Sequence, residues 1–128
     1  VIIDTSVLIA ILRNEPEAEK FAHALAEART RRISAANFLE TAIVIDGSRD
    51  PIASRRFDEL LRVAEVRIEA VTEEQARIAR AAYRDFGKGS GHPAQLNFGD
   101  CFAYALSKVT GEKLLYKGQA FVHTDLAR

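Results

Sequence analysis

The chain has 128 residues, 48% of them apolar and 28% charged, and its 18 basic and 18 acidic residues cancel. That size and balance describe one globular domain able to bury a core, and the zero net charge excludes the chain-wide basic footprint that marks many nucleic-acid binders. One cysteine, Cys101, excludes an internal disulfide and a cysteine-built zinc cage, and no apolar run nears the roughly 18 residues of a membrane span.

The opening, Val1-Ile2-Ile3-Asp4-Thr5-Ser6, reads as a short strand buried on both faces with an acid at its carboxyl end. Asp4 is then either the N-cap of the helix that follows or the first ligand of a metal or phosphate site. Because the chain opens on a strand rather than a leader, and carries a single thiol, a cytoplasmic location is expected. Val7 to Leu12 is apolar nearly all round, which predicts a helix packed on several sides or covered by a second subunit. Glu15-Pro16-Glu17 starts a second helix on Phe21, Ala22, Leu25 and Ala28, closed by the basic tract Arg29, Arg31 and Arg32. Ile33-Ser34-Ala35 is a very short strand or connection.

Asn37 to Ile45 (NFLETAIVI) predicts a helix buried over most of its circumference. Glu40 lies inside it, where a carboxylate is costly unless paired or bound to a metal. Asp46 to Pro51 is a loop, and Ile52 to Glu65 a long amphipathic helix. Val66 to Val71 alternates apolar and polar residues, as a strand near a sheet edge does. Thr72 to Gln75 is a capping-box sequence opening a helix that runs to Phe86. Gly87 to Asn97 (GKGSGHPAQLN) is a mobile, locally basic loop that either cradles phosphate through its amides and Lys88 or merely connects; it lacks the ending and following helix of a Walker loop. Gly99-Asp100 marks the start of a further helix, ended by Thr110-Gly111. Leu114-Leu115-Tyr116 is a strand, Lys117-Gly118-Gln119 its turn, and Phe121 to Leu126 a short final strand or coil. The order predicts an α/β fold with a small central, mostly parallel sheet flanked by helices.

Asp4, Glu40 and Asp100 stand out by context. Each falls where a parallel α/β sheet presents its carboxyl edge. Carboxylates gathered there repel one another unless a cation neutralises them, and oxygen ligands without cysteine or histidine select a hard ion such as Mg2+ or Mn2+. From spacing alone the constellation is suggestive only.

The stretches VIIDTSVLIAIL, SAANFLETAIVI, GKGSGHPAQLNFGDCFAYALSK and LLYKGQAFVHTD together resemble a PIN-domain ribonuclease, specifically a VapC-type toxin of the VapBC toxin–antitoxin class. The resemblance spans residues 1–128 as one PIN domain, a three-layer sandwich. It implies that Asp4, Glu40 and Asp100 are the acidic metal-site residues. It further implies Mg2+- or Mn2+-dependent endoribonuclease cleavage of tRNA or rRNA in translation arrest, a VapB antitoxin covering the site, and a homodimer. Relatives of this type usually read Lys-Gly-X-Asp-Phe after the last main strand. Here Lys117-Gly118-Gln119-Ala120-Phe121 puts alanine where the fourth acid belongs, which predicts weaker metal binding and reduced activity.

Around these acids, Ser6 is expected to orient Asp4 or a metal-held water, helix capping being its alternative. Asn37 and Asn97 either hold a scissile phosphate or cap helices. Lys88, His92 and Lys117 offer charge to RNA phosphates. Asp125 either lines the site or ends the chain as a turn residue. Cys101 is expected to be a small buried residue. Three other functions compete. A phosphatase using Asp4 as nucleophile wants a second aspartate where Ser6 stands. A non-catalytic PIN module is kept open by Ala120. A DNA-directed nuclease of similar fold finds no extra DNA-binding element in so short a chain.

Overall fold

The computed structural model describes residues 1–126. Four short strands, β1 (Ile2–Ile3), β2 (Arg32–Ser34), β3 (Arg67–Glu69) and β4 (Leu114–Leu115), form one sheet in the order β3-β2-β1-β4, with every pairing parallel. Between them run α1 (Thr5–Leu12), α2 (Ala18–Glu27), α3 (Ala35–Gly47), α4 (Pro51–Val63), α5 (Glu73–Phe86) and α6 (Phe98–Thr110). Parallel strands need crossovers, and the helices that provide them cover both faces.

The central strand shows why two isoleucines suffice. Successive side chains on a strand point to opposite faces. Ile2 enters one cluster with Leu114, Leu106, Tyr104 and Phe121, and Ile3 enters the other with Leu8, Phe21, Ile33 and Phe57. The register pairs Ile2 with Leu114 and Ile3 with Leu115, so β4 continues both faces. The first cluster lies under α5 and α6, the second under α1, α2 and α4, giving three layers.

Several boundaries move from the expected ones. The second helix starts at Ala18, after Pro16, and ends at Glu27. The basic tract is therefore not its last turn. Arg31 instead reaches back to its terminal carbonyls, donating to Leu25 O at 2.9 Å and Ala28 O at 2.7 Å. Arg32 belongs to β2 and bridges Glu69 (2.6 Å) and Glu112 (2.8 Å), tying three connections of the sheet together. β3 is one of the two edge strands, as its alternation implies.

The third helix departs most. It is not buried over most of its circumference: Leu39 and Ile43 are 57% and 63% exposed. The inward positions are Asn37, Thr41 and Ile45, one stripe at i, i+4, i+8. Thr41 returns its hydroxyl to Asn37 O at 2.8 Å, which makes a polar inner stripe tolerable. The glycine-rich stretch before α6 is also not an open loop. Lys88 N donates to Leu96 O and Leu96 N to Phe86 O, while Leu96 and Ala94 are buried. Most of its amides are engaged internally: Ser90 N donates to Gly87 O, and His92 N to Ser90 Oγ. Only those of Gly89 and Gly91, both exposed, make no hydrogen bond among the described residues. The final segment forms a 3-10 turn, Phe121–His123, rather than a strand. Gly111 ends α6 at φ 71°, a left-handed position suited to glycine.

Candidate active site

Asp4 follows β1 directly, and its amide donates to Leu115 O of β4. It caps α1, because its Oδ2 accepts from Ser6 N at 3.0 Å. Capping and a site role coexist here, since only one carboxylate oxygen is used. Ser6 Oγ donates to the same Oδ2 at 2.5 Å and accepts from Lys117 N at 2.9 Å. One hydroxyl thus fixes the acid and pins the loop after β4 to it. With its single donor committed to Asp4, Ser6 orients that acid.

Glu40 projects from α3 towards α1 and α6. Its Oε1 accepts from Thr5 Oγ1 at 2.5 Å and from Asn37 Nδ2 at 3.3 Å. Asn37 Nδ2 also donates to Gly99 O at 3.0 Å, which links α3 to the start of α6. Asn37 is fully buried, so it braces the acids and does not meet a phosphate. Gly99 allows this approach: a methyl group there would overlap both carboxylate oxygens of Glu40. Gly99→Ala is expected to leave the fold intact, as alanine favours helix, yet to lower metal-dependent activity about tenfold by displacing Glu40. Circular dichroism alongside a cleavage assay checks this; unchanged cleavage would mean Glu40 is dispensable.

Asp100 sits in the first turn of α6, in a reciprocal capping box. Asn97 Oδ1 accepts from Asp100 N at 2.8 Å, and Asp100 Oδ2 accepts from Asn97 N at 3.0 Å. Asn97 is therefore a cap through its Oδ1, and its Nδ2, on an exposed residue, makes no hydrogen bond among the described residues. The other Asp100 oxygen is left without a hydrogen bond among the described residues.

The three acids feel one another. Burial pushes the Asp4 carboxyl up from 3.8 to about 6, and the charges of Asp100 and Glu40 add to the rise against the opposing bonds from Ser6. Asp100 is likewise raised, first by burial and also by Glu40, with the Asn97 amide opposing. None of the three has a cationic partner among the described residues. Three hard oxygen donors without a counter-charge suit a divalent cation. The cage is open, though: among the described residues no three acid, histidine or cysteine side chains are gathered tightly enough to hold an ion unaided. Ala120, half-buried against the Phe121 cluster, adds no oxygen. Water would have to complete the coordination, as Mg2+ commonly requires.

The other expected residues are dispersed. Lys117 is not free for RNA: its Nζ pairs with Glu15 at 2.6 Å and Glu17 at 3.4 Å. Asp125 is not with the acids. It accepts from Tyr104 Oη and Lys108 Nζ, both at 2.7 Å, beside Gly111 and Leu114 at the amino end of β4. His92 packs edge-on against Phe86, and its Nδ1 accepts from Ala94 N. Lys88 is exposed. Cys101 is buried with its thiol pushed up to about 11, so it stays protonated and inert. Thr5, at the strand–helix junction, holds Glu40 rather than capping α1.

Three acids at the carboxyl edge of a parallel sheet define an acidic-site α/β domain. The chain belongs to the PIN domain family, whose model matches residues 1–126. It is 59% identical over 127 residues to VapC ribonuclease Mb0625 of Mycobacterium bovis and to ribonuclease VapC28 of Mycobacterium tuberculosis, covering 99% of this chain and 96% of either relative. Ribonuclease VapC30 of Mycobacterium tuberculosis is 48% identical over 126 residues, with 98% and 95% covered. Among solved structures, a toxin–antitoxin complex from Klebsiella pneumoniae aligns with a TM-score of 0.75 at 16% identity, over 98% of this chain and 93% of that one. Mycobacterium tuberculosis VapC20, described as a sarcin–ricin loop cleaving toxin, aligns at 0.70 and 16% identity, over 94% and 91%. At that identity the structural likeness speaks to the fold alone.

Proposed function

We propose that this protein is a VapC-type endoribonuclease toxin that cleaves structured RNA, tRNA or rRNA, with Mg2+ or Mn2+, and so inhibits translation. The observation that carries the proposal is the convergence of Asp4, Glu40 and Asp100 without a counter-charge, with Asp4 raised to about 6. The ribonuclease names of relatives 46–59% identical over nearly the whole chain support it.

Asp4 and Asp100 would hold the ion through their unbonded oxygens, with Glu40 completing the acidic wall. When bound, the cation supplies charge neutralisation of the phosphodiester and a lowered pKa for the attacking water. Ser6 keeps Asp4 in its rotamer, Asn37 and Thr5 keep Glu40 facing inward, and Asn97 fixes Asp100. Lys88 offers its exposed charge to the RNA backbone. A VapB-type antitoxin fits the same reading as the partner that masks the acids. A homodimer fits it too. A cytoplasmic site of action follows from an RNA target; among the described residues no helix is long and apolar enough to cross a membrane.

Ala120 favours a second reading, a weakened or inert PIN module that acts by binding. Incubating the purified protein with total RNA and Mn2+ separates the two. Cleavage that falls at least about tenfold in Asp100→Asn is expected for the enzyme. No cleavage by the protein, even after Ala120→Asp, would leave the binding module.

A further inference from the structure

Between α5 and α6 lies a groove of about 480 Å3, within the size range of pockets that take small ligands. It opens beside Asn97, the residue that fixes Asp100. Its floor is the buried Ala79 and the thiol of Cys101, with the exposed Ala76 at its edge; its walls are Tyr83 and Phe98. Phe98 is 77% exposed, an unusual cost for a phenylalanine at the start of a helix. Its ring is nevertheless held, edge-to-face with Phe102 at 4.9 Å between centroids. Tyr83 is held as well: its hydroxyl donates to Lys88 O at 2.9 Å, which sets Lys88 on the rim. Arg80 stands on the same rim. Its helical neighbours Arg77 and Arg84 are paired with Glu73 and Asp85, whereas Arg80 has no acidic partner among the described residues.

Fixed aromatic faces, a floor without hydrogen-bonding groups and two rim cations form a stacking platform with phosphate charge to match. We propose that this groove seats an unstacked nucleobase of the RNA next to the scissile phosphate, with Phe98 and Tyr83 against the base and Arg80 and Lys88 on the flanking phosphates. The proposal rests on the ribonuclease reading and deepens it. The apolar floor reads no base edge, so selection works through stacking and favours a purine over a pyrimidine. Base selection of this kind also explains how a protein without net charge holds RNA: only a few contacts are electrostatic, and they are local.

The test uses an oligouridylate carrying a single 2-aminopurine, whose fluorescence falls on stacking. Wild-type protein is expected to quench it. Phe98→Ala should abolish the quenching and weaken binding about five- to a hundredfold, the range for one lost base–aromatic stack, and Phe98→Trp should restore both. Lys88→Ala should weaken binding and lower its salt dependence by about one phosphate contact. Unaltered quenching in Phe98→Ala overturns the proposal. So does a change of molecular mass in Phe98→Ala by light scattering, which would make the groove a contact between copies of the chain. Cleavage assays run in parallel keep the two readings apart. Quenching without cleavage, in wild type and in Ala120→Asp, fails the ribonuclease reading and leaves the groove; cleavage indifferent to Phe98 does the reverse.

Discussion

Asp4→Asn is expected to remove RNA cleavage, by at least about a hundredfold, while making the metal-free protein more stable. The two effects share one cause. Asp4 is almost wholly buried between two other acids, and its carboxyl is raised from 3.8 to about 6. The folded state therefore holds that proton more tightly than the unfolded chain does. Below about pH 4 both states are protonated and no penalty exists. Between about pH 4 and 6 the penalty grows, and above about pH 6 it is complete, about 3 kcal/mol for a shift of this size. The melting temperature of the metal-free protein should accordingly fall as pH rises through that window, and asparagine at position 4 should flatten the fall. A divalent cation should reverse it in the wild type, because a ligand bound only by the folded state adds stability. Thermal melts from pH 4 to 8, with and without Mn2+, check this. A melting temperature that Mn2+ raises equally in Asp4→Asn would remove Asp4 from the ligand set.

Ala120→Asp is expected to act in the opposite sense. Position 120 lies in the loop that Lys117 N binds to Ser6 Oγ, so it belongs to the same edge of the sheet as Asp4. An added carboxylate would tighten an open cage, and a gain of only about 1.4 kcal/mol in ion binding is tenfold in affinity. Cleavage at limiting Mn2+ should therefore rise about tenfold, whereas without metal a fourth mutually repelling acid should lower the melting temperature. Titrating Mn2+ in a cleavage assay and by calorimetry measures both. An equal or lower rate in the restored protein would show that three acids suffice and that Ala120 is no defect.

The element order and the parallel sheet were legible because they rest on local signals: β-branched runs, glycine and proline breaks, capping residues. The acids were legible because a carboxylate in an apolar context is conspicuous. Helix α3 was misjudged because hydrophobic periodicity assumes that apolar residues face inward. Asn37 and Thr41 take the inner stripe instead, since their side chains have specific buried partners, and Leu39 and Ile43 are displaced outward. Such pairings join residues 62 positions apart, Asn37 and Gly99, and no window of sequence contains them. The partners of Lys117 and Asp125 were hidden for the same reason. Each is claimed by a charge, Glu15 or Lys108, whose proximity only the fold creates. Gly99 carried a visible signal, a glycine at a helix start, but its meaning as clearance for Glu40 required the third dimension.

Ile2 and Ile3 send their side chains into different clusters, and this has a consequence for how the protein can change over generations. Asp100 rides on the layer containing Tyr104 and Leu106, whereas α3, which bears Glu40, packs on the layer containing Phe57. Away from the Asn37–Gly99 contact that joins α3 to α6, each layer can accumulate compensated replacements without consulting the other, provided the two-residue strand between them keeps its register. Divergence should therefore be deep in either layer and shallow at the seam, where a single slipped residue would exchange the two interiors and carry Asp4 out of line with both of its partners.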